Sequence, residues 1–194
     1  SLLTPDERTV FRRLAIFAGG FTLEAAQHVA SDEAIDRWTA LDHLGALVDK
    51  SLILAEGDPI PRYRMLETTR AYGLERLAES GETQQMLVRH AQAVLAFLER
   101  FALDEWQWRA TGAIVPAAGA EVDNLRAALD WAAISSESRP MAIALAGVSY
   151  CVWWSVSNLA EGLVRCLELR RFVDDSVPTQ VAAQVWDATG KLAL

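Results

Sequence analysis

The stretch that most restricts what this chain can fold into is Ser51 to Gly81, SLILAEGDPIPRYRMLETTRAYGLERLAESG. Leu52 to Glu56 is short and apolar, Gly57, Asp58, Pro59 and Pro61 interrupt it, and Arg62 to Leu66 resumes an alternating pattern, so the two arms predict a hairpin. Alternation puts Tyr63 and Met65 on the core side and Arg62, Arg64 and Leu66 on the other. From Glu67 the period changes to that of a helix with Ala71, Leu74, Leu77 and Ala78 on one face, and Gly81 is placed to end it.

What precedes the hairpin is helical. Thr4-Pro5-Asp6-Glu7 predicts a helix start in which Thr4 caps, Pro5 occupies the first turn and Glu7 reaches back as a capping box. Val10, Leu14 and Phe17, beside Phe11, Ala15 and Ala18, continue its apolar face to a stop at Gly19-Gly20. Thr22 caps a second helix, Leu23 to Ala30. A third is expected from about Glu33 to Asp49 with Ile35, Trp38, Leu41, Leu44 and Val48 facing inward. Three helices and a hairpin make the order of a winged helix-turn-helix.

Beyond Gly81 the pattern is almost wholly helical. A connecting helix is predicted from Glu82 to about Glu105, a break at Gly112 to Gly119, then helices over Glu121 to Ile134, Arg139 to Val156, Asn158 to Asp174 and Thr179 to Leu194. Pairs recur at a spacing typical of tetratricopeptide-like hairpins, although that repeat's Trp, Leu-Gly and Tyr consensus is not legible. The expected fold is mainly α with a small β-hairpin wing. Its expected domains are a winged helix over 1–81 and, over 82–194, the connecting helix with a truncated array of tetratricopeptide-like repeats. The apolar last helix and the abrupt start at Ser1 read as the ends of a fragment.

Charge and composition narrow the function. The chain holds 18 Lys and Arg against 26 Asp and Glu, a net charge of -8, and 52% of its residues are hydrophobic. Residues 1–80 and 81–194 each hold 9 basic and 13 acidic side chains, so no basic arm is hidden in the average. No signal peptide or membrane-spanning run is visible; the cytoplasm is the expected compartment and a membrane is not an expected partner. Cys151 and Cys166 are expected as free thiols in apolar helices.

No Gly-x4-Gly-Lys-Ser/Thr motif is present, and Gly19-Gly20 closes a helix instead of opening one after a strand, so nucleotide hydrolysis and catalysis in general are not expected here. His28, His43 and His90 lack metal-ligand spacing, and no metal site is expected. His28 and His43 are expected on helix surfaces and His90 half-buried. The carboxylate pairs Asp104-Glu105, Glu121/Asp123 and Asp174-Asp175 mark helix ends, as do the serines at 135, 136, 155 and 157. Trp153-Trp154 and Trp106/Trp108 are either partner anchors or packing between helices, Trp153 and Trp154 being the anchor candidates kept.

Four segments carry a family resemblance: FRRLAIFAGGFT from Phe11 to Thr22, LVDKSL from Leu47 to Leu52, RMLET from Arg64 to Thr68, and DNLRAAL from Asp123 to Leu129. Together, over residues 2–170, they resemble the region after the nucleotide-binding domain in bacterial regulators of the signal-transduction ATPase (STAND) class. That resemblance implies an upstream NB-ARC-type domain binding ATP or ADP, a winged helix resting on it in cis as a switch, and repeats binding protein partners. It makes Arg64, Leu66 and Glu67 the candidate interdomain switch residues. Where related ATPases carry a Met-His-Asp motif that senses the diphosphate, this chain has Met65-Leu66-Glu67, and leucine cannot donate to a phosphate. The alternative is a winged helix that binds DNA directly as a transcription factor module. Asp36, Asp42 and Asp49 stand against Arg37 alone on the third helix, and Arg62 and Arg64 are the only basic pair near it. On charge the switch is favoured, and DNA is not expected as a partner of this stretch.

Overall fold

The computed structural model describes residues 2–57, 61–103 and 114–194, with side chains left out for 101–103 and 114–115. The wing tip at Asp58 and Pro59, the pair Asp104-Glu105 and the tryptophans Trp106 and Trp108 lie outside the described residues. The chain divides into two compact units, Ser1–Ala93 and Val94–Leu194.

In the first unit α1 (Pro5–Leu14), α2 (Leu23–Ala30) and α3 (Arg37–Asp49) are followed by β1 (Leu54–Glu56), β2 (Arg62–Arg64), α4 (Glu67–Ser80) and the first part of α5 (Thr83–Leu103). The capping box of α1 forms as expected: the Glu7 amide donates to Thr4 Oγ1 at 3.2 Å and the Thr4 amide donates to Glu7 Oε2 at 2.8 Å. The helix ends at Leu14, earlier than the Gly19-Gly20 stop, and Ile16, Phe17 and Phe21 reach the core from the turn that follows. Strands β1 and β2 pair antiparallel, Leu54 opposite Arg64 and Glu56 opposite Arg62. Phe21 adds a one-residue bridge to Tyr63, each amide donating to the other's carbonyl at 2.8 Å. Tyr63 and Met65 pack on the core as the alternation requires.

Helix α4 buries Gly73 and Leu77 rather than Ala71 and Ala78, which are exposed. A β-carbon at Gly73 would stand 2.6 Å from that of Ala15, so α1 and α4 meet at this glycine. Gly81 ends α4 in the left-handed region at φ 76°, where glycine carries no steric cost. Met86 and Ala93 of α5 belong to the same core. His90 is buried more deeply than expected, edge-on to Phe17 at 5.3 Å.

The second unit holds the rest of α5, α6 (Ile114–Gly119), α7 (Val122–Ala132), α8 (Arg139–Val148), α9 (Tyr150–Ser155), α10 (Leu159–Arg170) and α11 (Thr179–Leu192). The single helix expected over Arg139 to Val156 is broken at Ser149, whose hydroxyl donates to the Ala146 carbonyl at 2.9 Å and accepts from Trp153 Nε1 at 3.0 Å. Helix α8 packs against α7, α10 and α11, burying Ala142, Ile143, Leu145 and Ala146. Cys151 and Cys166 are free thiols, and burial pushes that of Cys166 up to about 11. Among the described residues no helix is long and apolar enough to cross a membrane.

Candidate nucleic-acid interface

The α2–turn–α3 segment is held from several sides. Thr22 caps α2 by accepting from the Ala25 amide at 3.2 Å. At the turn, Asp32 Oδ1 accepts from the amides of Ala34 and Ile35 at 2.9 and 2.8 Å. Arg13, almost fully buried, donates to the Ala30 carbonyl at 2.8 Å and to Asp32 and Glu82 at 2.6 Å each. Arg89 donates to the carbonyls of Val29 and Ser31. Two guanidinium groups therefore satisfy carbonyls at the C-terminal end of α2, which would otherwise lack partners. The Glu82 carboxyl is subject to burial, which opposes its charge, but the hydrogen bonds from Arg13 and Arg12 hold it below the ordinary value.

Asp36 then starts α3, accepting from the amides of Trp38 and Thr39 at 2.8 and 2.9 Å, and these bonds keep its carboxylate below the ordinary range. The start expected near Glu33 is corrected to Arg37, because Asp32 ties the Ala34 and Ile35 amides into a turn and Asp36 caps the helix that follows. Ala40, Leu44 and Leu47 are the buried side of the helix. Trp38, expected inward, is 76% exposed on the opposite side. It shares that side with Asp42, Gly45 and Asp49. The side chains of Arg37, Asp42 and Asp49 have no partner among the described residues. His43, expected on the surface, is half-buried, and its Nε2 is buried without a hydrogen bond.

The hairpin follows α3. Arg64 is exposed and pairs with Glu56 at 2.7 Å, while Arg62 donates to the Gly20 carbonyl at 3.0 Å. Lys50, just past α3, reaches Glu7 at 2.5 Å. Leu66 is the residue before α4, 47% exposed and without a capping bond, and Glu67 beside it is exposed, 3.7 Å from Arg70.

The other proposed anchors separate. Trp153 is fully buried, with the guanidinium groups of Arg126 and Arg165 5.8 and 5.9 Å from its ring, whereas Trp154 is 49% exposed. The arginines that position the turn, Arg13 and Arg89, carry no local sequence signal, because their partners are distant in the chain. Among the described residues no group of His, Cys, Asp and Glu is placed to hold a metal ion.

Residues 3–78 match the family of winged helix-turn-helix domains. A protein of Mycobacterium bovis, provisionally named an HTH-type transcriptional regulator, is 39% identical over 191 residues, covering 95% of this chain and 21% of the relative. A Mycobacterium tuberculosis protein with the same kind of name aligns with the same identity and coverage. A further Mycobacterium bovis protein, named only as uncharacterized, is 42% identical over 92 residues, which is 46% of this chain and 23% of that protein. No solved structure matches. The chain spans about a fifth of the length of the curated regulators it matches.

These matches correct the sequence expectation. The chain's likeness is to winged helix-turn-helix regulators, not to STAND or NB-ARC ATPases, and the switch role and upstream nucleotide domain derived from that resemblance are withdrawn with it. The quoted motifs report packing instead: Phe11, Leu14, Phe17, Phe21 and Leu47 are core of the winged helix, Thr22 is a cap, and Leu125 and Leu129 are core of the second unit. The exclusion of DNA as a partner, made on charge, is withdrawn as well. Of the three aspartates of α3, Asp36 is consumed as its cap, and among the described residues Asp42 and Asp49 are unpaired beside Arg37. The two relatives that align over 95% of this chain are named as regulators and not as enzymes, in agreement with the expectation of no catalysis in this stretch. The N-terminal region is a winged helix-turn-helix and the remainder a helical region.

Proposed function

We propose that residues 3–78 bind duplex DNA directly, with α3 in the major groove and the β1–β2 wing beside it, as the DNA-binding part of a cytoplasmic transcriptional regulator. The observation that carries this is the exposed side of α3, which has Trp38, Asp42, Gly45 and Asp49 directed away from the core in a domain of winged-helix order. A recognition helix needs such a free side to reach base edges. Arg37 at its start and Arg64 on the wing are the side chains assigned to phosphates.

Few phosphate contacts are available to so acidic a domain, so affinity must come largely from base edges and shape. Leu66 and Glu67, exposed at the β2–α4 junction, are assigned to contact with a neighbouring protein segment. In the same reading the winged-helix unit extends past Gly81 into α5, and α7–α8 and α10–α11 are hairpins of a tetratricopeptide-like scaffold for protein partners, with Trp154 as an exposed anchor. The packing of α8 on α7, α10 and α11 supports this.

The test is fluorescence anisotropy of the 194-residue chain against duplexes enriched from a random pool, in low and moderate salt. Binding is expected, with a salt slope corresponding to about two to four phosphate contacts at about 0.9 per contact, and Arg37→Ala and Arg64→Ala each lower the slope by about one contact. Absence of binding to every duplex at about 50 mM salt would overturn the reading, since even non-specific complexes form at about 100 µM or tighter.

A further inference from the structure

The composition of the exposed side of α3 also bears on which base pairs it reads, an inference that rests on the DNA-binding reading above. At 3.6 residues per turn, Trp38, Asp42, Gly45 and Asp49 fall within a stripe about 60° wide, opposite Ala40, Leu44 and Leu47. Asp42 and Asp49 flank the glycine. A β-carbon at Gly45 would meet nothing within 4 Å, so no packing inside the protein requires glycine there. Glycine weakens a helix interior, and its usual compensation is the close approach of another surface. Among the described residues no such surface meets Gly45, so its backbone is open to one from outside.

The side chains around Gly45 define what can approach. A carboxylate is an acceptor only, so Asp42 is repelled by phosphate, by guanine O6 and N7 and by thymine O4, and is satisfied by a base amino group. Of the two amino groups in the major groove, adenine N6 lies beside the N7 acceptor, which opposes a second carboxylate oxygen, while cytosine N4 does not. Trp38 offers an unpaired apolar surface, the complement of the thymine methyl. The cations lie off the stripe, Arg37 at its N-terminal end and Arg64 on the wing. This distribution fits a groove with anionic rims and, at a cytosine, a donor on its floor. Trp38 and Asp42 are about 6 Å apart along the helix axis, the span of about two base-pair steps.

We propose that α3 reads a pyrimidine-bearing site in duplex DNA, Asp42 accepting from the cytosine amino group and Trp38 lying against a thymine methyl one or two base pairs away. Selection from a random duplex pool with the wild-type chain and with Asp42→Asn tests this. Wild-type sites are expected to hold cytosine with a thymine one or two steps distant. Asn pairs with adenine N6 and N7, so Asp42→Asn is expected to exchange cytosine for adenine at that single position by roughly tenfold, with the other positions unchanged. Replacing the thymine by deoxyuridine removes only the methyl; it is expected to weaken wild-type binding several-fold and to leave Trp38→Ala unaffected. A recovered site without cytosine preference, one that Asp42→Asn leaves unchanged, or a wild-type chain indifferent to deoxyuridine overturns this inference while the DNA-binding reading stands. Failure to enrich any duplex overturns that reading itself.

Discussion

Gly162 lies against the indole of Trp153 so closely that a β-carbon on it would stand 2.5 Å from the ring's Cγ and Cδ1. Trp153 cannot yield, because its Nε1 donates to Ser149 Oγ and the residue is fully buried. Gly162→Ala is therefore expected to destabilise the chain by about 1 to 3 kcal/mol, the cost of overpacking, although alanine is intrinsically the better helix former. Chemical denaturation measures it, and a gain in stability would show that α10 moves freely away from the ring.

Arg13 joins α1 to the turn before α3 and to Glu82. Arg13→Ala leaves Asp32 and Glu82 without their main cation, and about 3 kcal/mol of stability is expected to be lost, as when one member of a buried ion pair is removed. Urea unfolding gives the value. A loss below about 1 kcal/mol would rank this cluster with ordinary surface pairs.

Leu66→Asp is expected to change stability by less than about 1 kcal/mol, because the residue is half exposed and makes no capping bond. Thermal melting checks this. A loss of about 3 kcal/mol would place Leu66 energetically in the core.

Glu161 receives hydrogen bonds from Arg126 at 2.6 Å and from Arg165 at 3.1 Å. Its carboxyl is held below the ordinary value near 4.5 first by the Arg126 bond, against an opposing contribution from burial and with help from Arg165. A lowered folded-state pKa means a stabilisation that is complete above the ordinary value and lost as pH falls through the lowered one. The melting temperatures of wild type and Glu161→Gln should differ most at about pH 7 and converge toward about pH 3. A gap that stays constant over that range would assign the difference to packing.

Much of the first unit was legible in the sequence because its signals are local. Thr4 and Glu7 cap α1 from three residues apart, Gly81 ends α4, and the period of two across Tyr63 and Met65 gives the core side of β2. The orientation of Trp38 was not, since an apolar ring at helical spacing looks like core until Asp36 is recognised as the cap and the buried line of Ala40, Leu44 and Leu47 is fixed. Phe21 pairs with Tyr63 through a single residue, too short for any periodicity. The break at Ser149 depends on a hydroxyl turning back to Ala146, an arrangement a serine shows only in place. The charge of α3 was visible, but its division between a cap and an exposed stripe needed the backbone.

The bonds from Arg89 to the last carbonyls of α2 have a practical meaning for anyone dissecting this chain. Gly81 looks like a natural place to cut, yet a piece ending there would lose Glu82 from Arg13, Arg89 from α2, and Met86, His90 and Ala93 from the surroundings of Phe17 and its neighbours. The first compact unit runs through residue 93, and a shorter piece would lack this brace, whatever α3 could have bound.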